Sequence, residues 1–108
     1  SISGQRVIAK SGANVYFGYN ATNVIFRTNN TEKARFDYHG KLGIGTTSPA
    51  SKLHVAGGIQ LADDGDTASA TKVGTIRYRT SGNNSYVDMC MQTGASTYAW
   101  VNIVQNNW

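Results

Sequence analysis

"KLGIGTTSPASKLHV" (residues 41–55) sets two spaced glycines and a Thr-Thr-Ser-Pro cluster ahead of an alternating Leu-His-Val. Three readings compete: a phosphate cradle, a hydroxyl nucleophile with His54 as its base, or a corner between two β-strands. A Walker loop needs Gly-x4-Gly-Lys-Ser/Thr, but Lys41 follows Gly40 and precedes Leu42. A dinucleotide fingerprint needs a third glycine opening a helix, and Gly43-Ile-Gly45 runs into Thr46, Thr47 and Ser48 instead. Ser48 or Ser51 with His54 and Asp37 has the side chains of a triad, but triads are defined by geometry and no nucleophile elbow surrounds either serine. The stretch reads best as a glycine-and-proline corner feeding a strand from Leu53 to Leu61.

Working outward, no segment shows capped helical periodicity. Short β-rich runs alternate with Gly, Asn, Ser and Thr clusters. The spacing predicts strands at Arg6 to Lys10, Asn14 to Tyr19, Asn23 to Thr28, Lys33 to Tyr38, Leu53 to Leu61, Gly74 to Thr80, Tyr86 to Gln92 and Thr97 to Val104. Leu53, Val55, Ile59 and Leu61 fall on one face, and Ile76 and Tyr78 share a face opposite Arg77 and Arg79. Val87, Met89 and Met91 form a second apolar row. Ala99, Val101 and Ile103 oppose Tyr98, Trp100 and Val104. Short turns make residues 74–104 an antiparallel meander. The chain divides into a shaft-like β region (1–62), an acidic linker loop (63–73) and a C-terminal meander tip (74–108).

The chain has 108 residues, 40% of them apolar, a modest core for one small domain. Its single cysteine, Cys90, excludes an internal disulfide framework and reads as a small packing residue; no Cys/His cluster suggests structural zinc. Partner subunits are the remaining source of stability. The first residue, Ser1, points to a trimmed or processed piece, and no apolar run approaches a membrane span. The net charge of +4 is spread along the chain, unlike the concentrated patches of nucleic-acid binders, so neither nucleic acid nor membrane insertion is expected. The triplets at 20–22, 29–31 and 83–85 match glycosylation sequons.

"FRTNNTEKARFDYHGKLGIGTTSPASKLHVAGGI" (26–59) resembles a segment common in bacteriophage tail fibre and tailspike proteins. The matching elements are Arg35, Phe36, Asp37 and Gly40, then Leu42 to Thr46 with Pro49, then Lys52, Leu53, Val55 and Gly57. "GTIRYRT" (74–80) and the later "YAWVNI" look like the small β-unit that often follows. The resemblance covers residues 24–104. It implies an all-β, intertwined homotrimeric fibre, a triple-stranded β-helix or β-prism-like shaft, with a compact meander tip. It also implies a virion protein at the distal end of the tail fibre, assembled in the host cytoplasm. Members often end in an intramolecular chaperone that cuts itself off, and none is read within these residues.

The expected function is non-enzymatic adhesion to a host-surface polysaccharide or outer-membrane component. The alternatives are a fragment of a trimeric polysaccharide-degrading tailspike and a purely structural connector. Tyr and Trp offer rigid amphipathic surface and Arg supplies hydrogen bonds, so Tyr78, Arg79, Tyr86, Tyr98, Trp100 and Trp108 form the expected receptor-facing set. Polysaccharide cleavage needs paired carboxylates, and three of the six acidic residues sit in one loop that reads as a solvated turn. No cofactor is expected. The weak metal candidates are His39 and His54, which three chains would triplicate about an axis, and Asp63, Asp64 and Asp66 as a cation loop without EF-hand spacing.

Overall fold

The computed structural model describes residues 8–18 and 21–108. The expected strand starting at Arg6, the end of the next one at Tyr19 and the sequon asparagine Asn20 lie wholly or partly outside them. The fold is all-β, with one 3-10 turn as the other regular element among the described residues. Two compact units divide the chain, Ser1–Ile59 and Gln60–Trp108.

The first unit carries a hairpin of β1 (Ile8–Ser11) and β2 (Asn14–Phe17) and a four-stranded sheet of β3 (Val24–Thr28), β4 (Thr31–Phe36), β5 (Leu42–Ile44) and β6 (Leu53–Val55). Asn29 and Asn30 join β3 to β4, both at positive φ (49° and 61°), the conformation of a two-residue type I′ turn that matches strand twist. β4 then pairs antiparallel with β5, and β5 pairs parallel with β6. Parallel neighbours ordinarily need a crossover of a dozen or more residues. Here the connection is residues 45–52, a tight corner.

Two glycines make that corner possible. A Cβ on Gly43 would stand 2.7 Å from the Thr46 carbonyl oxygen, so the chain folds back onto a position that only hydrogen can fill. Gly45 takes φ +78°, a left-handed conformation costly to other residues, and its N–H donates to the Lys33 carbonyl at 2.9 Å. Pro49 is buried beside Gly43. The corner expected between strands is therefore present, but its entry is itself a strand, and the strand it feeds is shorter than expected. β6 ends at Val55; Ala56 makes the last bond, its N–H donating to the Ile44 carbonyl, and Gly57 at φ +151° then leaves the ladder. Ile59 and Leu61 thus do not extend the apolar face of Leu53 and Val55.

The second unit is a three-stranded meander, β7 (Ile76–Ser81), β8 (Asn84–Gly94) and β9 (Thr97–Asn106), antiparallel throughout as its short turns foretold. Register pairs Ile76 with Met89, Tyr78 with Val87, and Val101 with Met89 on the other side of the central strand. The opposite face pairs Arg77 with Asp88, Arg79 with Tyr86 and Cys90 with Trp100. One expectation on β9 is corrected. A bulge between the pairs Val87–Val104 and Asp88–Asn102 inserts an extra residue, so Val104 joins the face of Val101 instead of the Trp100 face. Asp88 and Cys90, both 0% exposed, are the largest fully buried side chains.

Candidate functional site

The polar face of the meander is built around a carboxylate. β7 alternates, so Arg77 and Arg79 project to one side, and register sets Asp88 between them on β8. Arg77 Nε donates to Asp88 Oδ2 at 3.0 Å and Arg79 Nε donates to the same oxygen at 2.5 Å. The second carboxylate oxygen is buried with no hydrogen-bond partner. Burial alone would raise the Asp88 pKa, but the bonds from Arg79 and Arg77 outweigh it and hold the carboxyl below its ordinary value. The residue is a fixed anion.

Aromatic rings complete the layer. The Arg77 guanidinium lies 3.9 Å from the Trp100 ring centre and that of Arg79 lies 4.0 Å from the Tyr86 ring centre, both within cation–π range. Each arginine is thus held edge-on by a carboxylate and face-on by a ring. Arg79 keeps 30% of its side chain exposed against 13% for Arg77, so it is the more available of the two to an outside partner.

The acidic segment closes over the Arg77–Trp100 part of this layer. Arg77 Nη1 donates to the Asp64 carbonyl at 2.7 Å, and Trp100 Nε1 donates to the Asp66 carbonyl at 3.0 Å. Lys72 Nζ meets Asp64 Oδ2 at 2.6 Å and Asp66 Oδ2 at 3.4 Å. The Lys72 bond leads in lowering the Asp64 pKa, while the Asp64 bond leads in raising that of Lys72. Backbone bonds from Gly74 N–H to the Cys90 carbonyl and from Cys90 N–H to the Thr75 carbonyl extend the β7–β8 ladder beneath it. The segment that reads as a solvated turn in sequence is anchored through its carbonyls and one lysine.

The expected receptor set is divided by the sheet. Arg79, Tyr86, Tyr98 and Trp100 lie on the polar face, whereas Tyr78 lies on the apolar face with its hydroxyl 2.8 Å from Ser85 Oγ. Trp108, beyond the end of β9, is 81% exposed. Sequence reasoning missed Asp88; the signal was a lone acid between Val87 and Met89, on the same face as two arginines of the preceding strand.

The metal candidates sit apart. No group of three or more His, Cys, Asp or Glu residues gathers among the described residues. Asp64 and Asp66 face Lys72, and Asp63 Oδ1 stands 4.0 Å from Arg77 Nη1. His54 Nδ1 accepts from the Ala50 N–H at 3.1 Å, and the exposed His39 ring lies 3.9 Å from that of Tyr38. Asp37 Oδ1 accepts the N–H groups of His39 (2.9 Å) and Lys41 (3.0 Å), which makes it a turn residue. The Lys41 bond is the main cause of its lowered pKa. The Asp37 carboxylate and the His54 ring are thus both engaged in local backbone bonds. Compared with protein-family models, curated proteins and solved structures, the chain matches none.

Proposed function

We propose that the chain is part of a homotrimeric phage tail fibre that adheres, without catalysis, to a glycan or outer-membrane component of a bacterial host. The observation that carries this reading is the part-exposed Arg79, stacked on Tyr86 and pinned on the buried Asp88 carboxylate beside the Arg77–Trp100 pair that the acidic segment covers. Aromatic rings and guanidinium groups with fixed orientation suit recognition of hydroxyl-rich or anionic surface sugars, because little side-chain entropy is left to lose on binding. The motif resemblance of residues 26–59 supports the fibre context.

Whole-cell binding tests the proposal. The purified chain is expected to bind cells or isolated surface polysaccharide of a susceptible host without generating reducing ends. Tyr86→Ala is expected to weaken that binding at least about tenfold, the loss of one aromatic–cation contact with its packing. Release of reducing ends would establish the depolymerase instead, and absence of binding across a broad panel of bacterial surface polysaccharides and cells would leave the connector.

A further inference from the structure

Strand register sets out the polar face of the meander in rows. Arg79, Tyr86 and Gln105 form one, Arg77, Asp88 and Asn102 the next, and Cys90 and Trp100 the last. The acidic segment covers the Trp100 end, through the bonds from Arg77 to the Asp64 carbonyl and from Trp100 to the Asp66 carbonyl. Among the described residues, none of its side-chain hydrogen bonds or ion pairs reaches the first row.

Arg79 is therefore left half-used. Its Nε donates to Asp88 Oδ2, and one face of its guanidinium stacks on Tyr86. Arg77 also spends Nη1 on a carbonyl, whereas neither Nη of Arg79 meets a protein acceptor among the described residues. The side chain is 30% exposed, and the Asp88 carboxylate that takes its Nε is fully buried. The Nη fork is the part left for an outside group. Its paired N–H donors match two oxygens of one oxyanion.

The surroundings of the fork favour an anion over a neutral hydroxyl. Asp88 is shared between two arginines, and Asp63, Asp64 and Asp66 are set against Arg77 and Lys72. No other acidic side chain belongs to the second unit, so none stands free beside Arg79. Gln105 Oε1, an acceptor of the same row, already takes Asn102 Nδ2 at 2.6 Å. A sugar hydroxyl is both donor and acceptor, and this end of the sheet offers it mainly donors.

We propose that the Nη fork of Arg79, braced by Asp88 and Tyr86, is the anion-binding subsite of the meander. The glycan it takes is an acidic surface polysaccharide, gripped by a carboxylate or phosphate oxyanion. The proposal rests on the adhesion reading above and names the class of glycan. Bracing matters because an arginine fixed before contact loses little rotamer freedom on binding.

The test uses the whole chain and polysaccharides extracted from the same bacterial panel. Each is tried native, with its carboxyl groups reduced to alcohols, and dephosphorylated with hydrofluoric acid. The parent chain is expected to bind a native form at least about tenfold more tightly than one of its neutralised forms. The treatment that weakens binding tells carboxylate from phosphate. Arg79→Lys keeps the charge and loses the fork, so it should lose that preference while binding the neutralised form as before. Lys10→Gln, which removes an exposed charge from the first unit, should keep the preference. Binding indifferent to both treatments would overturn the proposal and leave the adhesion reading standing. An Arg79→Lys chain that binds like the parent, or that weakens equally toward every form, would also overturn it. So would a preference lost in Lys10→Gln, the mark of diffuse attraction. Failure to bind any native polysaccharide would overturn both readings. The parent chain's preference needs no variant, and so decides the matter even if Arg79→Lys fails to fold.

Discussion

Replacing Asp88 with asparagine tests whether the polar layer holds the meander together. The side chain keeps its shape and loses its charge. Two bonds between opposite charges keep their cationic donors but lose the anionic acceptor, a loss of about 1 kcal/mol each. If the amide oxygen faces the arginines, its NH2 takes the place of the buried Oδ1, which already lacks a partner, so that position exchanges one unsatisfied atom for another and adds little. The bonds account for about 2 kcal/mol, and the arginine charge left without its counter-ion brings the loss toward the roughly 3–5 kcal/mol usual when one partner of a buried ion pair is removed. Arg77 keeps the Asp64 carbonyl and the Trp100 ring, and Arg79 can reach water, so the lower end, about 3 kcal/mol, is expected. Urea unfolding at fixed protein concentration, followed by tryptophan fluorescence, measures it. A loss below about 1 kcal/mol would mean that the arginines are solvated and the layer is decoration.

Acid should act on the same groups. Asp88, Asp64, Asp37 and Glu32 all have pKa values lowered in the folded chain. The native state therefore binds fewer protons, and their contribution is present above the ordinary carboxylate range near 4 and is lost as pH falls through it toward the folded values. An unfolding midpoint that stays flat from about pH 6 to pH 2 would contradict this. Gly43→Ala should destabilise the first unit by about 1–3 kcal/mol, because its Cβ meets a backbone oxygen that cannot swing away; thermal unfolding that matches the parent chain would refute the corner geometry. Trp100→Phe keeps the ring beneath Arg77 but removes the bond to the Asp66 carbonyl, so a loss of about 1 kcal/mol is expected, read as faster hydrogen exchange in residues 62–75. Trp108→Ala, by contrast, should leave stability within about 0.5 kcal/mol.

What the sequence disclosed and what it hid follow from range. The alternation of Ile76 and Tyr78 against Arg77 and Arg79, and of Val87, Met89 and Met91, is a period-2 signal that one strand carries alone, and the faces came out as that signal predicts. The parallel pairing of Leu42–Ile44 with Leu53–Val55 was not legible, since a three-residue strand holding Gly43 has no pattern of its own and forms only because residues 45–52 return the chain beside it. The β9 bulge was equally silent, and it moved Val104 to the other face. Asp88 looks like any polar strand residue until register sets it between Arg77 and Arg79. The acidic segment reads as solvated because its anchors are carbonyls, which every residue type possesses.

The burial of Cys90 has a practical consequence. It is the chain's one thiol, fully enclosed, with its sulfur 3.8 Å from the Ser69 carbonyl in the segment that closes one end of the polar face. A thiol reagent can reach it only when that segment lifts or the meander opens. The labelling rate of the unmodified protein is therefore a built-in clock for local opening, set apart from global unfolding by its response to mild denaturant. Without any engineered probe, it reports how often the protein uncovers its own buried charge.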